Sequence, residues 1–211
     1  FMKLAIGGCS FSRDFEVRAK QRYPFLLSRL LGTELVDEAR TQGSNYRIWR
    51  TLTKHIIENN INAKDKLIIQ YTEPHRREYW IPQPPTHFDP IVDEPYDNGK
   101  LFRYKYGADQ YSHGIEKSLY KLLYRCDNEK YTQEMFEINH AMFVGLLKSK
   151  KFQNVVFVKT RYCNFTDKSY VENYPVVDCD DILEAQNLDG WHLSPAGHNA
   201  VAERLVEFFQ T

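Results

Sequence analysis

The stretch Lys3-Leu4-Ala5-Ile6-Gly7-Gly8-Cys9-Ser10-Phe11-Ser12 decides how the rest of the chain is read. Its first half is a short apolar run closed by glycine. That is the form of a strand buried on both faces of a parallel sheet, where side chains are apolar continuously rather than alternately. Its second half carries a serine hydroxyl onto the turn that leaves the strand, among small residues that let backbone N–H groups approach a ligand. Taken alone, a serine after glycine is more often a turn former or a cap than a nucleophile.

Working outward, residues 34–36, 66–71 (KLIIQY) and 154–159 (NVVFVK) are similar runs bounded by polar residues and read as further buried strands. Helical patterns lie between them. Residues 24–31 form a short one, and Trp49, Leu52 and Ile56 recur at i, i+3, i+7 in the next. Ile115, Leu119, Leu122 and Leu123 mark a third, and Met135, Ile138, Met142 and Leu146 set the apolar face of a fourth. Val201, Leu205, Phe208 and Phe209 mark the last, which Ser194 caps with Pro195 at its first position. Strand and helix alternate, as in an α/β domain whose helices cover both faces of a parallel sheet. Residues 73–114 break the alternation, with six of the nine prolines, many aromatics and no sustained period. They are too long for an ordinary connection, and they leave the third strand at the edge where open α/β sheets carry ligands. We therefore read them as a lid or substrate wall within a single domain of residues 2–211, the alternative being a surface excursion that packs for its own sake.

Composition narrows the function. The 211 residues carry 28 basic and 28 acidic side chains, so phosphate neutralisation does not supply affinity and nucleic acid is not an expected partner. No apolar run approaches the ~20 residues of a membrane span, and the apolar N-terminal stretch is shorter than a secretory core. The chain reads as a cytoplasmic protein with no membrane partner, Met2 being the expected natural start. Cys9, Cys126, Cys163 and Cys179 lack disulfide or zinc spacing and read as reduced thiols. Asp178, Cys179, Asp180 and Asp181 read as a solvated acidic loop, so no metal and no cofactor is expected.

Two more positions bear chemistry. Gly43-Ser44-Asn45 follows the second strand and opens a helix, where free N–H donors favour an anion, although taken alone such a stretch is more often a plain Ser44 or Asn45 N-cap. Asp189-Gly190-Trp191-His192 precedes the final helix. Its carboxylate and imidazole are close enough for the acid to fix the tautomer that leaves Nε2 as a base.

These blocks resemble the SGNH, or GDSL-type, hydrolases, serine esterases and lipases on a flavodoxin-like three-layer α/β/α fold with a parallel central sheet. The resemblance implies that Ser10 is the nucleophile and that His192 and Asp189 complete the triad. It also implies that Gly43 and Ser10 supply backbone N–H groups to an oxyanion hole. Cys9 stands where the family usually has aspartate. The family's third-block asparagine is missing from residues 68–73, Ile-Ile-Gln-Tyr-Thr-Glu. Either Thr72 or Asn45 substitutes, or two backbone donors suffice, or catalysis is weak.

The function implied is hydrolysis of a carboxylic ester through an acyl-enzyme. An O-acylated carbohydrate or other small molecule is the first expectation for substrate, with Arg76, Glu78 and Trp80 of the insertion lining it. A solvated charge run accounts for Arg76, Arg77 and Glu78 equally well. Rival readings are an acyltransferase or thioesterase on the same triad, and a binding module that kept the fold without turnover.

Overall fold

The computed structural model describes residues 1–13, 17–40, 43–74, 77–81, 95–96, 99–104, 129–160, 174–188 and 192–210. The expected helix around Ile115 to Leu123 lies outside them, as do Cys126, Cys163, Arg76 and Asp189. The strands, in chain order, are β1 (Lys3–Gly7), β2 (Glu34–Asp37), β3 (Lys66–Gln70), β4 (Arg77–Ile81), β5 (Pro95–Tyr96), β6 (Gly99–Tyr104), β7 (Val155–Lys159) and β8 (Val176–Asp178). The α-helices are α1 (Tyr23–Leu31), α2 (Asn45–Ile57), α3 (Glu129–Ser149), α4 (Asp180–Ala185) and α5 (Pro195–Gln210). None of the described helices is long and apolar enough to cross a membrane.

The main sheet runs β2-β1-β3-β7-β8, and every pair in it is parallel. Counted among its own strands this is the 2-1-3-4-5 order of flavodoxin-like folds, whose ligand crevice opens between the first and third strands at their carboxyl ends. Side chains alternate between its faces. Ala5, Leu67, Ile69, Val155 and Phe157 pack under α2 and α3, while Leu4, Ile6, Ile68, Val156 and Val158 pack under α1, α4 and α5. Both faces are covered over the inner strands, which is why β1, β3 and β7 are apolar over most of their length, whereas edge strand β2 is only partly buried.

Three readings needed correction. The apolar stripe expected on α3 is one step out of phase. Ile138 and Met142 are 46% and 69% exposed, whereas Phe136, His140, Phe143, Val144 and Leu147 are buried. His140 occupies a core position because Tyr71 satisfies it: the phenol lies 3.0 Å from its Nδ1, and Phe136 meets the Tyr71 ring edge-on at 5.2 Å. The acidic stretch at 178–181 is not a solvated loop. It is the junction of edge strand β8 with α4, with Cys179 buried, its thiol pushed up to about 12 mainly by burial. Asp178 and Asp181 face outward, bonded to Lys159 at 2.7 Å and to both guanidinium nitrogens of Arg204 at 2.7 Å. The insertion, expected to have no regular period, contains a three-stranded antiparallel sheet in the order β4-β6-β5. Its register sets Glu78 opposite Arg103 and Trp80 opposite Leu101, and β4 lies against α2.

Candidate active site

The turn that carries Ser10 is held from below by a side chain of the neighbouring strand. Gln70, the last residue of β3, is fully buried, and its Oε1 accepts the Cys9 N–H at 3.0 Å and the Ser12 hydroxyl at 3.2 Å. Its Nε2 donates to the Tyr71 carbonyl. Ser12 Oγ also lies 2.6 Å from the Tyr23 phenol. Because the single Ser12 proton goes to Gln70, Tyr23 is the donor in that pair. Burial pushes the Tyr23 phenol well above its ordinary value, so it stays neutral as that role requires. The chain then turns with Ser12 N–H and Arg13 N–H both on the Cys9 carbonyl, at 3.0 and 3.1 Å. Ser10 sits inside this turn, half-buried, and its N–H and hydroxyl have no hydrogen-bond partner among the described residues.

The loop after β2 is stitched to the same turn. Arg40 N–H donates to the Gly8 carbonyl at 3.1 Å. A Cβ on Gly43 would come within 3.1 Å of that carbonyl and 2.9 Å of the Arg40 carbonyl, so the two loops can touch only through glycine. The Gly43 N–H itself donates to the Arg40 carbonyl at 2.9 Å, within this turn. Ser44 is the N-cap of α2, its Oγ accepting the Arg47 N–H at 3.1 Å. Asn45 is buried and clamps Thr72 from both sides, Nδ2 donating to the Thr72 carbonyl and Oδ1 accepting its N–H, each at 2.8 Å. Thr72 is fully buried, yet its hydroxyl has no partner among the described residues.

His192 stands just before α5, where the residues on either side of 189–191 bond one another. Leu188 N–H bonds the His192 carbonyl at 2.8 Å, Asn187 and Leu193 form a bridge, and Ser194 N–H reaches Gln186 O at 2.7 Å. The Ser194 hydroxyl then caps α5 on Gly197 N–H at 3.1 Å, as its sequence implied. One turn on, buried His198 accepts the Tyr23 N–H on Nδ1 at 3.2 Å, which puts the proton of the neutral ring on Nε2. Its pKa is pushed down to about 4, mainly by burial and then by Arg22 and His192.

Tyr23 thus ties the two halves together, its backbone to the helix that follows His192 and its phenol to the turn that carries Ser10. Ser10, Gly43, Asn45 and Thr72 converge at the carboxyl ends of β1 and β3, while no hydrogen bond joins Ser10 to His192 among the described residues. Glu78 and Trp80 are placed on β4. Sequence reasoning passed over Ser12, Tyr23, Gln70 and His198. The one available signal was Gln70, a polar residue ending an otherwise apolar strand.

No protein-family model and no curated protein sequence matches the chain. Its fold does match solved structures end to end. A member of the lipolytic protein G-D-S-L family from Veillonella parvula is 12% identical with a TM-score of 0.58, covering 100% of this chain and 99% of its own. The psychrotrophic esterase EstA from Pseudoalteromonas sp., in a structure inhibited by monoethylphosphonate, is 10% identical with a TM-score of 0.55, covering 99% and 96%. The lipase/acylhydrolase from Enterococcus faecalis is 11% identical with a TM-score of 0.54, covering 100% and 96%. The fold of this chain is that of the SGNH, or GDSL-type, hydrolases.

Proposed function

We propose that the protein is a serine hydrolase acting on a carboxylic ester, with Ser10 as nucleophile, His192 as general base and Asp189 as its orienting acid. The observation that carries this reading is a pair of unsatisfied donors at the carboxyl edge of β1 and β3, the Ser10 N–H and the buried Thr72 hydroxyl. A buried hydroxyl without a partner is costly, and an oxyanion is the acceptor that would satisfy it. Thr72 then takes the part of the missing asparagine, and Asn45 acts as a positioning residue by gripping the Thr72 backbone. His192 removes the Ser10 proton as Oγ attacks the ester carbonyl. The tetrahedral oxyanion collapses with departure of the alcohol, which receives that proton, and water activated by His192 releases the acid. The Ser10–His192 bond is one that closes with substrate in place, since catalytic contacts tighten in the reactant complex. The substrate class we propose is an O-acylated carbohydrate or another small ester, bounded by the insertion that carries Arg76, Glu78 and Trp80.

One observation favours a second reading, a binding module of low turnover: the Gly43 N–H is turned to the Arg40 carbonyl, which leaves the hole one backbone donor short. A fluorophosphonate probe separates the two, an esterase of similar fold being inhibited by monoethylphosphonate. Labelling of the wild type that is lost in Ser10→Ala supports the hydrolase. Absence of labelling, or equal labelling of the variant, refutes it. Turnover of p-nitrophenyl acetate should vanish in His192→Ala and fall by about 10²-fold in Thr72→Val.

A further inference from the structure

Thr160 directly follows β7 and Thr72 lies two residues beyond β3, and the two share an unusual property. Each is fully buried, and each carries a hydroxyl with no hydrogen-bond partner among the described residues. β3 and β7 pair in parallel through Gln70 and Val158. Continuing that register by two residues sets Thr72 beside Thr160 at the carboxyl edge of the sheet, the edge from which the Ser10 turn leaves β1. Neighbouring strands lie about 4.8 Å apart, so Thr160 is one strand spacing beyond Thr72 on the side away from β1. It is too far to share the oxyanion with the Ser10 N–H, and well placed for a second oxygen on the same ligand. A structural threonine in a buried position would bond a carbonyl or another side chain. Valine fills the same space without leaving a polar group unpaired.

We propose that Thr160 is a substrate-binding residue, its hydroxyl taking the free hydroxyl that neighbours the acylated oxygen of a polyol or sugar. Thr72 meets the ester carbonyl oxygen and Thr160 meets the adjacent hydroxyl, so the site selects esters of vicinal diols over esters of simple alcohols. A threonine hydroxyl both donates and accepts, and so does the hydroxyl it would meet. Selectivity follows because an alkyl ester of the same length leaves Thr160 unpaired. This inference rests on the hydrolase reading above.

The test is acetate release from glycerol 1-monoacetate and from propyl acetate, followed by pH-stat, with thermal unfolding of the same samples. Wild type should favour the glycerol ester in kcat/KM by about tenfold, the size of one neutral hydrogen bond. Thr160→Val should lower kcat/KM for the glycerol ester by about tenfold and bring the ratio near one, while Thr160→Ser keeps the preference. The Tm of Thr160→Val should equal or exceed that of wild type. An unchanged ratio in Thr160→Val, a wild-type ratio near one, or a fall in Tm overturns the proposal; the last would reveal a structural partner for the hydroxyl. Turnover that depends on Ser10 with any of these results refutes this inference alone. Absence of turnover that depends on Ser10, with either ester, refutes the hydrolase reading and this inference with it.

Discussion

Gln70→Leu removes the acceptor on which the Ser10 turn rests. In the wild type Oε1 takes the Cys9 N–H at 3.0 Å and the Ser12 hydroxyl at 3.2 Å. With leucine the Cys9 N–H has no acceptor. Ser12 can rotate its proton to Tyr23, 2.6 Å away, but the Tyr23 proton is then the one left over. Two buried donors are unpaired in either arrangement. Each costs about 1–3 kcal/mol, so the substitution should destabilise by roughly 2–6 kcal/mol. That is a large share of the ~5–15 kcal/mol that holds a domain folded. For a chain of this length it corresponds to a fall in Tm of about 4–24 °C. Urea unfolding with a fixed m-value measures it. Ser12→Ala in the Gln70→Leu background deletes one of the orphaned donors, so the double variant should be less destabilised than the sum of the single changes. Fluorophosphonate labelling of Gln70→Leu, measured well below its Tm, should be slower than wild type because the turn has lost its support. A loss of stability under about 1 kcal/mol, or strict additivity with Ser12→Ala, would refute the hydrogen-bond accounting.

Three further outcomes follow from the geometry. His198 titrates at about 4 in the fold against an ordinary 6.5, so the unfolded chain binds a proton more readily and stability falls as pH drops from about 6.5 toward 4. The loss is on the order of 3 kcal/mol, and His198→Gln should flatten the pH dependence of the urea midpoint over that window. Gly43→Ala forces a methyl to within 2.9 and 3.1 Å of two backbone carbonyls, neither of which can swing aside as a side chain would. Its labelling rate should fall by about tenfold or more, on the scale of a displaced catalytic group, and a rate equal to wild type would show that the loops need not touch. Glu38 holds fully buried Arg47 at 3.2 Å and His55 at 2.8 Å. Glu38→Ala removes the carboxylate that bonds both and should therefore cost about 1.5–3 kcal/mol in chemical denaturation, and a cost below about 0.5 kcal/mol would refute that role.

Local features were legible where the signal is local. The apolar runs around Ala5, Ile68 and Val156 identified buried parallel strands, since a strand covered on both faces has no polar side to show. Ser194 before Pro195 announced the start of α5 because capping is settled within one turn. Edge strand β8 was missed because three residues leave no periodicity to read, and α3 was phased wrongly because hydropathy counts His140 as polar. Its hydrogen bond to Tyr71, 69 residues away, and its ring contacts with Phe136 and Phe157 let that position sit in the core.

The sequence by itself determined the alternation of strand and helix, the serine on the first turn, and the histidine and aspartate before the last helix. Each of those depends on residues a few positions apart. The tertiary structure alone decided which polar groups are satisfied. Gln70 reaches across 61 residues to Cys9, Asn45 across 27 to Thr72, and Thr72 and Thr160 come to neighbouring strand ends with their hydroxyls unpaired. Hydrogen-bond satisfaction is a property of atoms brought together by folding, and no period or spacing along the chain records it.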